Sequence, residues 1–233
     1  MPPPLVVRGQ SRAPHRGEFR QLAAPPRRGE GRGVLVGGLR PDPAPETSAD
    51  ALRRRLARLP RSRLRLGLRP AGVLVPLFWR GAEPHTVFTR RAEHLRQGGQ
   101  VSFPGGGLRP GEDTRQAALR EAEEELGIPA QSVQVLGALP DAPVLVTGFC
   151  MTPWVGLIPP DTELRPDPGE VARAFEVPLP ALADPARTPF RTVPRRFGGR
   201  LFQVPYFEWE DEVIWGATGR VALDLLRLLG LRD

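Results

Sequence analysis

The chain has 233 residues, enough for one well-filled core with roughly fifty residues to spare. Its formal charge is +7, and every basic side chain apart from the histidines is an arginine. Residues 1–40 carry eight arginines against Glu18 and Glu30, a net +6, whereas residues 41–233 carry 25 arginines against 24 acids, a net +1. The folded part is therefore close to neutral, which argues against a large nucleic-acid-binding face. No apolar run is long enough to cross a membrane, and no secretory signal core is visible. The single Cys150 cannot form an internal disulfide, so a reducing, cytoplasmic location is expected.

In chain order, residues 1–46 are rich in Arg, Pro and Gly without sustained periodicity, and are expected to be disordered. Three readings of this tail stay open: a nucleic-acid-binding arm, a transit peptide with unusually little serine, or a gene-model extension with translation starting further in, near Val34. Residues 47–233 form the expected domain. A helix should begin after Ser48 as cap, carry Leu52, Leu56 and Leu59 on one face, and stop at Pro60. Arg53, Arg54, Arg55, Arg58 and Arg61 should line its solvated side. Two strands are expected at 71–79 and 86–89, joined by a polar turn at 80–85 that includes His85. A helix at 114–126 should end at Gly127 as a C-cap. Further strands are expected at 133–139, 149–158 and 176–179, then a late pair at 201–208 and 212–215, and a closing Leu-rich helix at 221–229. Helices and strands mix without regular alternation, so the fold class is α/β with a mixed sheet between helices, not a doubly wound one. His15, His85 and His94 have no Cys/His spacing that suggests zinc.

The segment 106–128 is the densest in chemistry. It places Gly106, Glu112, Arg120, Glu121, Glu124, Glu125 and Gly127 at fixed offsets, with apolar Ala122 and Ile128 between and after them. Glu121, Glu124 and Glu125 stand at i, i+3 and i+4, so a helix carries all three carboxylates on one face. They repel one another unless a hard divalent cation holds them, and Mg²⁺ suits such oxygen ligands and commonly shares its shell with substrate phosphates.

This constellation resembles the Nudix box, G-x5-E-x7-R-E-U-x-E-E-x-G-U with U apolar, and every specified position is filled. The resemblance implies a Nudix-type α/β/α sandwich and a Mg²⁺- or Mn²⁺-dependent hydrolysis of a nucleoside diphosphate derivative by water attack on phosphorus. It also implies that Glu121, Glu124, Glu125 and the Gly105 carbonyl ligate the metal, and that Gly106, Glu112, Arg120 and Gly127 are structural. Upstream, the run 89–106 is similar to the extra signature of the coenzyme A pyrophosphatase branch of this family. Thr89, Arg91, Ala92, Arg96, Gly99 and the Phe103-Pro104-Gly105-Gly106 run match it. Val87-Phe88 replaces a Leu pair, and the gap from Arg96 to Gly99 is one residue short. Segments at 152–156, 170–179 and 214–220 resemble the branch's later parts, so the likeness covers about residues 48–230.

The implied substrate is a small nucleotide, coenzyme A or a derivative, cleaved to 3′,5′-ADP and 4′-phosphopantetheine. Arg91, Arg96, Gln100 and Phe103 form the expected substrate-binding set, because guanidinium holds phosphate through paired hydrogen bonds. An ion pair to the box glutamates is the alternative for Arg91, and core packing is the favoured role for Phe103. Glu121 and Glu170 are the two candidates for the general base, ahead of Glu163 and Asp161. The alternatives are a Nudix diphosphatase for ADP-ribose, NADH or a nucleoside triphosphate, and a non-catalytic nucleotide or RNA binder acting through the tail.

Overall fold

In the computed structural model the described residues are 48–59, 67–144, 146–197 and 200–232; the tail 1–46 and Arg61 lie outside them. The elements are α1 (Ala49–Arg58), β1 (Arg69–Arg80), β2 (Glu83–Arg91), β3 (Val101–Ser102), β4 (Gly105–Gly107), α2 (Thr114–Leu126), β5 (Gln134–Ala138), β6 (Ala142–Val144), β7 (Phe149–Leu157), β8 (Val171–Pro178), α3 (Leu179–Ala183), β9 (Phe190–Phe197), β10 (Arg200–Trp209), β11 (Glu212–Trp215) and α4 (Gly216–Leu228). No helix among the described residues is long and apolar enough to cross a membrane.

The fold is built around β1, whose residues 71–78 are buried. An eight-stranded sheet runs β3-β2-β1-β7-β5, with β4 pairing β1, β6 pairing β7 and β8 pairing β2. β1 and β7 are parallel while the flanking pairs are antiparallel, which makes the sheet mixed, as expected from the chain. Helix α2 covers one face, where Leu74 meets Ala118 and Ala122, and where Leu126 and Ile128 join Phe78 and Val87. The opposite face carries the larger core, with Leu52 and Leu56 of α1, Leu225 of α4, and Phe207 and Ile214 all packed with Val73, Val75 and Phe88. Phe207 and Ile214 belong to a second, three-stranded sheet, β11-β10-β9. The late strand pair expected from the chain is thus two strands of a separate sheet.

Ser48 caps α1 as expected, accepting a bond from the Ala51 amide at 3.3 Å, and Leu52 and Leu56 are buried. Arg55 departs from the expected solvated row: its Nη1 donates to the Leu228 carbonyl at 2.8 Å and ties α1 to α4. His85 is a second correction. It lies in β2, is only 7% exposed, and packs 5.5 Å from the Phe78 ring with Nδ1 3.0 Å from the Glu83 carbonyl oxygen. The turn is tighter than expected because Gly81, at φ 63°, reverses the chain between Arg80 and Glu83. Helix α4 begins at Gly216, earlier than the expected start at 221.

Gly72 sets how closely α2 approaches the sheet. A Cβ there would lie 1.8 Å from the Thr114 carbonyl oxygen and 2.8 Å from the Ala118 nitrogen, both backbone atoms of α2. Gly72→Ala must therefore lift the helix, and we expect it to cost about 3 kcal/mol in urea unfolding, at the upper end of overpacking effects. An unchanged midpoint would contradict this contact.

Candidate active site

Strand β4 places the start of the acidic motif beneath α2. Its pairing sets Gly105, Gly106 and Gly107 opposite Val73, Gly72 and Ala71. A Cβ on Gly106 would come within 2.5–2.9 Å of the Glu121 carboxyl group, so this carboxylate lies directly over bare backbone. A Cβ on Gly105 would strike the Gly72 carbonyl oxygen and Val73.

Helix α2 has the expected bounds and is held at both ends. Asp113 and Gln116 form a reciprocal capping box, each side chain accepting from the other's amide at 2.8 Å. The D-x-x-Q spacing was a legible signal for this cap. Trp154 Nε1 donates to Thr114 Oγ1 at 3.2 Å and pins the first turn. At the other end Gly127 adopts φ 67°, the left-handed C-cap conformation. The amides of Arg165 and Asp167 then donate to the carbonyls of Leu126 and Glu125, at 2.7 and 3.0 Å. These two bonds strap the segment leading to Glu170 onto the end of the helix.

Arg120 is the electrostatic hub. It grips Glu112 with two parallel bonds of 2.7 and 3.0 Å, reaches Glu121 at 2.8 Å and Glu124 at 2.9 Å, and donates to the Gly107 carbonyl at 3.1 Å. The Arg109 amide adds a 2.8 Å bond to Glu112, whose carboxyl is held down at about 2, first by its bond from Arg120. The Arg109 side chain joins Glu124 at 3.0 Å, an interaction without a signal in the sequence.

The three expected ligand carboxylates share α2 but sit in different environments. The side chain of Glu124 is 45% exposed and that of Glu121 16%, while Glu125 as a residue is 5% exposed. Among the described residues no group of three His, Cys, Asp or Glu side chains stands converged around a point. Glu121 and Glu124 instead turn toward Arg120, which balances their charge.

Glu125 is the unbalanced member. Its Oε2 accepts one bond, from the Gly105 amide at 3.3 Å. Burial pushes its carboxyl up to about 8, and the charges of Glu121 and Glu170 push the same way, against the Gly105 bond and Arg91. A buried carboxylate flanked by two others is a position that a divalent cation relieves, so the donor set fits a hard metal.

Of the expected substrate-binding residues, Arg91 ends β2, Arg96 and Gln100 lie on the loop to β3, and Phe103 follows β3. The Arg91 amide donates to the Gln100 carbonyl at 2.9 Å and the Gly99 amide to the Arg91 carbonyl at 2.9 Å, which closes residues 92–99 into a compact turn. The Arg91 guanidinium bonds the Arg96 carbonyl at 3.2 Å, while its charge is felt at Glu125. No direct Arg91 ion pair to a box glutamate forms within 4.0 Å. Arg96 is exposed and Gln100 half-buried. Phe103 points inward, 4% exposed and 4.5 Å from the Phe88 ring, so it anchors the loop and does not face outward. Glu170 is exposed beside this loop, its carbonyl accepting from the Ala92 amide at 2.9 Å. Glu163 pairs with Arg165 at 2.7 Å on the surface.

With fold and site in place, the chain belongs to the Nudix family: the NUDIX domain model matches residues 68–197. Nudix hydrolases generally use divalent metal ions. Among relatives, the chain is 42% identical over 165 residues to "Uncharacterized Nudix hydrolase NudL" of Photorhabdus laumondii subsp. laumondii, covering 70% of this chain and 86% of the relative. It is 40% identical over 169 residues to the protein of the same name from Salmonella paratyphi B, covering 72% of this chain and 86% of that one. Of solved structures, the MutT/nudix family protein from Enterococcus faecalis aligns with a TM-score of 0.45 at 15% identity, covering 70% of this chain and 68% of that one.

Proposed function

We propose that this Nudix hydrolase cleaves the diphosphate of coenzyme A or a derivative, with Mg²⁺ or Mn²⁺, to 3′,5′-ADP and 4′-phosphopantetheine or its acyl form, in the cytoplasm. The observation that carries the reading is electrostatic: Arg91, at the start of the loop that bears Arg96 and Gln100, is near enough for its charge to act on the buried Glu125 carboxyl of the acidic helix. Glu121, Glu124, Glu125 and the Gly105 carbonyl would hold the cation. When bound, it supplies charge neutralisation on the diphosphate and lowers the pKa of a nearby water.

The chain's own residues supply the rest. Arg91 and Arg96 orient the anionic substrate, and the glycine backbone at 105–107 leaves it room to approach. A carboxylate accepts the proton of the attacking water as the new P–O bond forms, and the anhydride oxygen leaves with its electron pair on the other phosphate. Glu121 and Glu170 are the candidates, and the two straps from α2 to 165–167 hold Glu170 close enough for its charge to act on Glu125. Glu112 and Arg120 fix the loop relative to the helix.

A substrate panel with product identification in ¹⁸O water tests this. Coenzyme A should rank first, with the label in one product only. A catalytic efficiency for coenzyme A at least about tenfold below that for ADP-ribose would instead select the other-nucleotide reading.

A further inference from the structure

Consecutive arginines on β2 have opposite partners. The β2–β8 pairing slips between Arg90 and Arg91. Arg91 acts on Glu125, whereas the Arg90 guanidinium bonds Glu93 Oε1 at 2.8 Å and Glu212 Oε1 at 3.5 Å. Glu212 lies on β11 of the small sheet with a side chain 5% exposed, and Arg173 of β8 approaches it at 3.8 Å. Arg173 in turn reaches Glu210 at 3.7 Å. A buried carboxylate needs such cations, so Arg90 is fixed from the core side.

Glu93 sits inside the loop 92–99. A Cβ on Gly99 would lie 3.0 Å from both Glu93 carboxylate oxygens, and one on Gly98 would lie 2.4 Å from the Glu93 carbonyl oxygen. The end of the loop at Gly98 and Gly99 therefore folds back against one side of Glu93, whose other side faces solvent, so a group that fixes Glu93 steadies the loop's return.

We infer that Arg90 is a positioning residue for substrate: it clamps Glu93, against which the loop that follows Arg91 and bears Arg96 folds back, to the buried Glu212 of the small sheet. The inference rests on the proposed role of that loop in binding an anionic nucleotide. A bare charge does not suffice, because a guanidinium can present separate N–H groups to two carboxylates, whereas a lysine offers one compact ammonium.

The test compares the full-length wild type with Arg90→Lys and Glu93→Gln. Glu93 is largely exposed, so its variant keeps the core intact even if the arginine substitution disturbs Glu212. Amide exchange across 92–100 should quicken about threefold to fivefold, the scale of an exposed ion pair, with α2 unchanged. On whichever nucleotide diphosphate the wild type turns over best, KM should rise about threefold to fivefold while kcat stays within about twofold. Unchanged exchange at 92–100 in both variants overturns the clamp, and so does faster exchange without a rise in KM. If coenzyme A is not the best substrate, the functional reading fails, while the same two measurements still decide the clamp. If no nucleotide is turned over, exchange alone decides it.

Discussion

Glu125→Gln should lower kcat at least about 100-fold with Mg²⁺ present, and Glu124→Gln at least about tenfold. The ranking follows from position. Glu125 is 5% exposed and has a single bond of 3.3 Å to the Gly105 amide, so its charge is committed to whatever cation meets it. The Glu124 side chain is 45% exposed and already shared by Arg109 and Arg120, so a cation has to compete for it. Both variants should stay folded, because α2 is anchored by its capping box, by Gly127 and by the strap at 165–167, none of which uses these carboxylates. Glutamine also costs a helix little. Steady-state rates over a Mg²⁺ titration check the result. Wild-type rates for either variant at limiting Mg²⁺ would remove that residue from the proposed ligand set.

The parts of the fold legible in the sequence are those whose signal is local. Helix α2 was readable to the residue because Gly127 stops it and the acidic motif fills it. The start of α1 followed from Ser48, and the core of β1 from an unbroken apolar run. What escaped the sequence depends on partners far away. β4 is three glycines and is a strand only because β1 supplies its ladder. β6 and β9 contain Pro143 and Pro194, which remove an amide and suit the outer positions these strands occupy, where among the described residues they pair only with β7 and β10. His85 was misplaced because a polar run resembles a turn until Phe78 covers it.

The site divides in the same way. Residue identity and helical spacing put three glutamates on α2, and the resemblance of the run 89–106 singled out Arg91 and Arg96 just upstream. They did not reveal the order of burial among the glutamates, which arises from Gly105 and Gly106 lying under the helix. Nor did they separate Arg90 from Arg91, since the slip in register between them is a property of the β2–β8 pairing. Phe103 faces the core for a comparable reason: it follows β3, whose Val101 is also buried, and meets Phe88 there.

The contrast between Glu112 and Glu125 yields a pH signature with two separate windows. Glu112 has a folded value of about 2, below its ordinary 4.5, so its contribution to stability is complete above pH 4.5 and is lost as pH falls through about 2. Glu125 has the opposite sign. Its folded value of about 8 lies above 4.5, so the cation-free fold binds a proton that the unfolded chain has released. That protein should therefore lose stability as pH rises from about 4.5 to about 8, by a few kcal/mol, and then level off. Glu125→Gln should abolish this second slope, leave the first, and raise cation-free stability at pH 8, because its neutral amide no longer faces Glu121 and Glu170 as a third charge. Cation binding must reverse the protonation, since a ligand carboxylate has to be ionised. At pH 7 wild type should release close to one proton per Mg²⁺ or Mn²⁺ bound, falling toward none above about pH 8 and absent in Glu125→Gln. Calorimetric titrations in two buffers of different ionisation enthalpy measure this number directly. Proton release that persists undiminished in Glu125→Gln would mean that another group, and not this buried carboxylate, changes charge when the metal binds.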